Sequence, residues 1–161
     1  MAVEYPILAF IASLMFTVVI LSTLFVYVYI VSEINRVPVL SGNADARVIF
    51  ENAVVEVKIM HERGEPVVLQ RIVLYTELGA IICTVSPRNC TTPAEGLMVT
   101  LKLVNIGEDG LVYPGSTSYV IAEITGENVP RLFSEGKSYD AVLFFDKGLI
   151  VLKYALAYIV R

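Results

Sequence analysis

The stretch Tyr5-Pro6-Ile7-Leu8-Ala9-Phe10-Ile11-Ala12-Ser13-Leu14-Met15-Phe16-Thr17-Val18-Val19-Ile20-Leu21-Ser22-Thr23-Leu24-Phe25-Val26-Tyr27-Val28-Tyr29-Ile30-Val31-Ser32 runs for 28 residues without a charge or a glycine. Its length decides how it is read. A cleavable secretory signal has an apolar core of about 7–15 residues behind a basic start. This run is longer, and no Lys or Arg stands before it. As a helix it would measure about 42 Å at about 1.5 Å per residue. A bilayer core of about 30 Å needs only about 20 residues, so the run exceeds a plain span by about two turns. Pro6 suits the first helical turn, where its missing N–H costs nothing. Val37-Pro38 marks the end, because proline disfavours the α region in the residue before it. The expectation is one helix from about Tyr5 to Arg36, apolar on every side and therefore covered on every side, by lipid or by other helices. Its many β-branched residues would weaken a helix in water. In a dry medium the backbone must close its own hydrogen bonds, and the helix survives. The small residues Ala9, Ala12, Ser13 and Thr17, spaced by three and four, would let neighbouring helices approach closely. They are equally well read as chance small residues on a lipid-facing span.

Of the 28 charged residues only Glu4 precedes this run, and the other 27 make up about 21% of the residues after it, an ordinary fraction for a folded domain. The overall mean hydropathy of +0.69 is therefore concentrated in the N-terminal segment. A net charge of −4 without a Lys/Arg cluster argues against a nucleic-acid binder, which needs a basic face. One His and two Cys are too few for a dedicated His- or Cys-based metal site.

Beyond the helix the period changes. Residues 37–46 carry turn chemistry and read as a linker. Val55, Val57 and Ile59 then alternate with Glu56, Lys58 and Met60, the signature of a half-buried strand. Further strand-like runs cover 67–78, 80–85, 98–105, 119–125, 139–145 and 149–160. They are separated by turn signals such as Arg63-Gly64-Glu65-Pro66, Gly107-Glu108-Asp109-Gly110 and Asp146-Lys147-Gly148. Seven or eight short strands with regular turns and no helical pattern predict an antiparallel sandwich of immunoglobulin-like type over 47–161. The fold class is thus α+β, a long apolar helix followed by an all-β domain. The last strand is apolar on both faces except for Lys153, as expected of a strand covered on both sides or of an ordinary central strand.

No catalytic constellation emerges, and neither an enzyme nor a bound cofactor is expected. His61 has no nucleophile motif beside it and reads as a solvated turn residue. The phosphate-loop, GxGxxG and GxSxG patterns are missing. Cys83 and Cys90 flank a Ser-Pro-Arg-Asn turn. They read as a disulfide clipping a hairpin, and so as a domain outside the cytoplasm, rather than as two unrelated thiols. Asn89-Cys90-Thr91 matches the N-glycosylation acceptor pattern, which makes Asn89 a glycan candidate or a plain turn residue. Gln70 is the only glutamine, and few thermolabile amides suggest a thermophile.

The start Met1-Ala2-Val3-Glu4-Tyr5-Pro6-Ile7-Leu8-Ala9-Phe10, running into an uninterrupted helix and a small β domain, resembles the archaeal type IV pilin and archaellin superfamily. The Asn105-Ile106-Gly107 strand end and the Tyr113-Pro114-Gly115-Ser116 turn are similar to its extracellular domains. The resemblance implies a subunit that waits in the membrane, is handled by a pilus assembly machinery, and polymerises with copies of itself into an extracellular filament for adhesion or motility. The filament core would be packed by Pro6, Ala9, Ala12, Ser13, Phe16, Thr17, Ile20, Leu24 and Tyr27. The family's basic leader site does not occur here, so the resemblance implies the mature form. In bacterial members an early glutamate pairs with a neighbour's N-terminal amine. That makes Glu4 a candidate for the role, against the plainer reading of a helix-start charge that favours the dipole. The alternative is a single-span accessory protein of such a machine, its β domain binding a cell-wall partner.

Overall fold

The structure, a computed structural model, describes the backbone of residues 4–160 and the side chains of residues 5–157. The chain divides into two compact units, Met1–Val37 and Pro38–Arg161. The first is a single helix, α1 (Glu4–Arg36), with Pro6 in its first turn and Arg36 in its last. That basic residue sits where the helix dipole favours it.

The second unit is built from ten strands: β1 (Val39–Ile49), β2 (Asn52–Arg63), β3 (Val67–Thr76), β4 (Gly79–Thr84), β5 (Asn89–Thr91), β6 (Met98–Val104), β7 (Leu111–Val112), β8 (Thr117–Thr125), β9 (Ser138–Phe145) and β10 (Gly148–Val160). One short 3₁₀ turn, Val129–Arg131, lies between β8 and β9. The protein is therefore α+β, a long N-terminal helix followed by a mostly antiparallel sheet. The strands follow one continuous path, β5-β4-β3-β9-β10-β1-β2-β8-β6, with β7 beside β3. The two ends of the path, β5 and β6, approach each other, so the sheet is nearly barrel-shaped. Separate face-to-face sheets of the immunoglobulin type are not what the strand path describes. The reason lies in β10. Its first part, Gly148–Ala155, pairs antiparallel with β9. Its last part, from Leu156 on, pairs parallel with β1. One strand thus joins what would otherwise be two sheets.

The expected linker at 37–46 is mostly strand. All of β1 pairs with β2, from Val39 opposite Arg63 to Ile49 opposite Asn52. Gly42 permits this pairing, since a Cβ there would collide with the Lys58 carbonyl. Alternation sorts the side chains. Ala53, Val55, Val57 and Ile59 of β2, Val120, Ala122 and Ile124 of β8, Ile72 and Leu74 of β3, and Ala141, Leu143 and Phe145 of β9 all point into one shared core. A slip of one residue in any of these strands would expose its whole apolar set.

His61 continues the inward parity of β2 and is 1% exposed, which corrects its reading as a solvated turn residue. Its backbone is held by the loop before β8: the Gly115 amide donates to its carbonyl at 2.7 Å, and its amide donates to Ser116 at 3.1 Å.

Candidate functional site

The residues with the clearest chemical demand are those of α1. From Tyr5 on, its side chains are exposed, including the large ones Phe10, Leu14, Phe16, Leu24, Phe25 and Tyr27. The segment Tyr5–Arg36 is long and apolar enough to cross a membrane, with a mean hydropathy of 2.5 in its most apolar window. Sixteen of the 28 residues in the charge-free run are Leu, Ile, Phe or Val. Each contributes about −0.3 to −0.6 kcal/mol when it lies at a membrane centre.

Four of the hydroxyls on α1 are closed within the helix. Thr17 donates to the Ser13 carbonyl at 2.8 Å and Ser22 to Val19 at 2.9 Å. Thr23 donates to Ile20 at 2.8 Å and Ser32 to Tyr29 at 2.7 Å. Each closes onto a carbonyl three or four residues back, so these polar groups are satisfied within the helix. Where the side chains are small the surface dips. One shallow groove is lined by Phe10, Ser13, Leu14, Thr17 and Val18, and another by Ser22, Thr23, Val26, Tyr27 and Ile30. Of the residues expected to pack a filament core, Ser13, Thr17 and Tyr27 line these grooves. Phe16, Ile20 and Leu24 are exposed at 68%, 41% and 54%, and Pro6, Ala9 and Ala12 are exposed too. The candidate pairing role of Glu4 concerns a side chain outside the described residues.

In the β unit, Cys83 of β4 stands directly opposite Cys90 of β5, and a disulfide joins them. Thr84 reinforces the hairpin by donating to the Pro87 carbonyl at 2.8 Å. Asn89 is exposed at the start of β5, while Thr91 of the same tripeptide is tied to the Ile82 carbonyl at 3.4 Å.

A cleft of about 290 Å³ opens beside the start of β1, lined by Val39, Leu40, Val67, Phe145, Leu149 and Ile150 among others. Of its lining residues only Lys147 ionises, and Glu65 holds it at 2.8 Å. Ligand pockets gather several convergent polar groups, and this cleft offers one that is already paired. Among the described residues, no group of three or more His, Cys, Asp or Glu side chains is placed to hold a metal ion.

A polar network that the sequence did not point to closes the far end of the sheet. The Tyr139 hydroxyl donates to Glu77 at 2.8 Å and accepts from the Ser134 amide at 2.7 Å. Lys137 meets the same carboxylate at 2.8 Å. The hydrogen bond from Lys137, then that from Tyr139, holds the Glu77 carboxyl below its ordinary value. Behind this network Tyr154 is 1% exposed and packs against Phe133 and Tyr139 at ring distances of 6.0 and 5.7 Å. Its hydroxyl donates to the Tyr75 carbonyl at 2.6 Å. Burial, with Tyr139 and Asp140 nearby, pushes its phenol well above the ordinary value. The arrangement braces the loop 126–137.

No protein-family model matches this chain, and no curated protein matches it. Among solved structures, a family 123 glycoside hydrolase from Clostridium perfringens is similar at 10% identity with a TM-score of 0.35, over 76% of this chain. The chain spans only 28% of that enzyme's length. A likeness so distant leaves fold and function to be argued from this chain's own residues.

Proposed function

We propose that this chain is the structural subunit of an extracellular filament of the archaeal type IV pilin kind, held in the membrane by α1 before assembly and packed through α1 afterwards. One observation carries the proposal: α1 is exposed from Tyr5 to Arg36 and apolar on every side, with the hydroxyls of Thr17, Ser22, Thr23 and Ser32 closed on its own carbonyls. Such a helix can exchange lipid neighbours for helix neighbours without uncovering these four hydroxyls. Its charge-free run exceeds the need of a bilayer by about two turns, and the surplus supports packing beyond the membrane. The Cys83–Cys90 disulfide supports an oxidising location for the β unit. In this reading the rolled sheet takes the place of the immunoglobulin-like sandwich that forms the sheath in that superfamily.

Electron microscopy of material sheared from cells, with an antibody raised to residues 38–161, tests the proposal. Regular labelled filaments whose reconstruction places Tyr5–Arg36 in the core are the expected result. Label confined to the envelope without filaments refutes it. That outcome leaves the accessory reading, one span with an outward β unit, for which a single long helix is sufficient.

A further inference from the structure

Asn89-Cys90-Thr91, the acceptor pattern for an N-linked glycan, is the whole of strand β5. Successive side chains of a strand alternate between its faces. Asn89 and Thr91 are exposed on one face. Cys90 between them turns to the other, where its disulfide partner Cys83 is 1% exposed. The Asn89 side-chain amide has no hydrogen-bond partner among the described residues. The rest of the tripeptide is tied to β4, one tie to each residue. The Thr84 hydroxyl donates to the Asn89 carbonyl at 3.2 Å. The disulfide joins Cys90 to Cys83. The Thr91 hydroxyl donates to the Ile82 carbonyl at 3.4 Å. The ladder repeats these pairs, with Thr84 opposite Asn89, Cys83 opposite Cys90 and Ile82 opposite Thr91. β5 is the last strand of the sheet path, so Asn89 stands at an edge with its amide free.

We propose that Asn89 carries an N-linked glycan, and that the glycan is attached before the Cys83–Cys90 disulfide closes. The chemistry sets the order. An amide nitrogen shares its lone pair with the carbonyl, which makes it a poor nucleophile. The acceptor pattern requires a hydroxyl two residues on. That hydroxyl can serve the amide only when the chain bends at the middle residue, as in an Asx turn. A strand instead holds residues i and i+2 about 6.8 Å apart, and here the Thr91 hydroxyl is already engaged by Ile82. The closed hairpin therefore shows Asn89 to solvent but holds it unreactive, and the open chain leaves it free to bend. The donor is an oligosaccharide on a lipid diphosphate. Asn89 Nδ2 gives a proton to a base of the transferring enzyme and forms a bond to the sugar's C1. The bond from C1 to the phosphate oxygen breaks, and the lipid diphosphate leaves. Closure follows by exchange: the Cys83 and Cys90 thiols give two electrons and two protons to an external disulfide, which departs as two thiols. In the finished hairpin the glycan keeps the exposed face and the disulfide the other, so neither obstructs the other. The inference rests on the exterior location of the β unit in the reading above, and not on filament formation.

The site is tested on the full chain isolated from its own cells, digested, with the peptide carrying Asn89 read by tandem mass spectrometry. A sugar mass on Asn89 is expected. It should be lost in Asn89→Gln and in Thr91→Ala, and kept in Thr91→Ser, which retains the hydroxyl. The same cells, while intact, are treated with a membrane-impermeant amine label. A β unit that takes the label with Asn89 unmodified overturns the inference and leaves the exterior location standing. A β unit beyond the label's reach removes the location and the glycan together. The order is tested on unglycosylated full chain in detergent, made in a host without N-glycosylation. It is given to membranes of the source cells, which hold the transferring enzyme and its lipid-linked donor. Reduced chain should be modified at least about tenfold faster than oxidised chain, because reduction opens so short a closed loop. Cys83→Ala keeps the acceptor tripeptide and should match reduced wild type with or without reductant, which separates the clip from any effect of reductant on the enzyme. Modification of the oxidised chain at the rate of the reduced chain, or faster, overturns the order. Filament microscopy is scored separately, so filaments can fail while the glycan holds.

Discussion

Tyr154→Phe should destabilise the β unit at neutral pH and cease to do so near pH 11. The hydroxyl is buried and donates to the Tyr75 carbonyl at 2.6 Å. Removing it loses a hydrogen bond with a net value of about 0.5–1.5 kcal/mol and leaves a carbonyl short of its partner. A loss of about 1.5 kcal/mol at pH 7 follows. The phenol's folded pKa lies above its ordinary value of 10.0, first because of burial. The folded chain therefore keeps this proton at a pH where the unfolded chain releases it. Stability from this group is complete below about pH 10 and falls as pH rises towards the folded value, by about 1.4 kcal/mol per unit. At pH 11 about 1.4 kcal/mol has gone, close to the whole advantage of the wild type. Phenylalanine has no such proton, so the two stability curves should meet near pH 11. Every other group is common to the two proteins and cancels in the difference. Urea unfolding of the full chain in detergent, followed by the strand signal in circular dichroism at each half pH unit from 7 to 11.5, measures the gap. A gap that stays constant across the range would refute the argument that the fold keeps this phenol protonated. The absence of any gap at pH 7 would show that the bond to Tyr75 adds nothing.

Removal of the hairpin clip by Cys83→Ala with Cys90→Ala should cost about 2 kcal/mol, from the loop-entropy relation for so short a closed loop. The same loss should appear in reduced wild type and be absent on reducing the variant. Neither ring nitrogen of His61 has a hydrogen-bond partner in the protein, and an unmade bond on a buried polar group costs about 1–3 kcal/mol. His61→Leu should therefore leave the urea midpoint unchanged or raise it, and a fall of more than about 1 kcal/mol would mean the ring is bonded after all. Gly110 has φ +89, and a Cβ there would run into the Leu69 carbonyl, whereas Gly136 has φ +77 and open space around it. Gly136→Ala should lose about 1–2 kcal/mol for the left-handed backbone alone, and Gly110→Ala measurably more. Equal losses at the two sites would remove the collision argument.

The helix was legible because its signal is composition, which does not depend on what the rest of the chain does. The strands expected at 55–60, 67–78, 80–85, 98–105, 119–125, 139–145 and 149–160 correspond to β2, β3, β4, β6, β8, β9 and β10. Their alternation is a local property and survives any topology. β1 was hidden by Ser41-Gly42-Asn43, turn formers in isolation, which pairing with β2 holds extended. A weaker signal was present in Ala44, Ala46 and Val48, buried between exposed Asp45 and Arg47, but alanine marks a core poorly. His61 could have been placed by carrying the inward parity of Ala53, Val55, Val57 and Ile59 one step further. The turn signal just beyond it argued the other way. The strand path was not legible. Whether β10 ends one sheet or joins two depends on the parallel pairing of its last residues with Ala46–Ile49, a contact separated by more than a hundred residues. The Glu77, Lys137 and Tyr139 cluster was hidden for the same reason.

The final strand shows how a sequence pattern and a fold can each be half of an answer. Apolar residues at every position but Lys153 suggest cover on both faces. The inward set, Ile150, Leu152 and Tyr154, is covered by the chain's own core, Tyr154 completely and the other two in part. The outward set, with Leu149 and Val151 more than half exposed, is not. The exposed apolar side chains of α1 differ from these. Those of α1 are uniform around its axis, and any apolar medium satisfies them, lipid or helix alike.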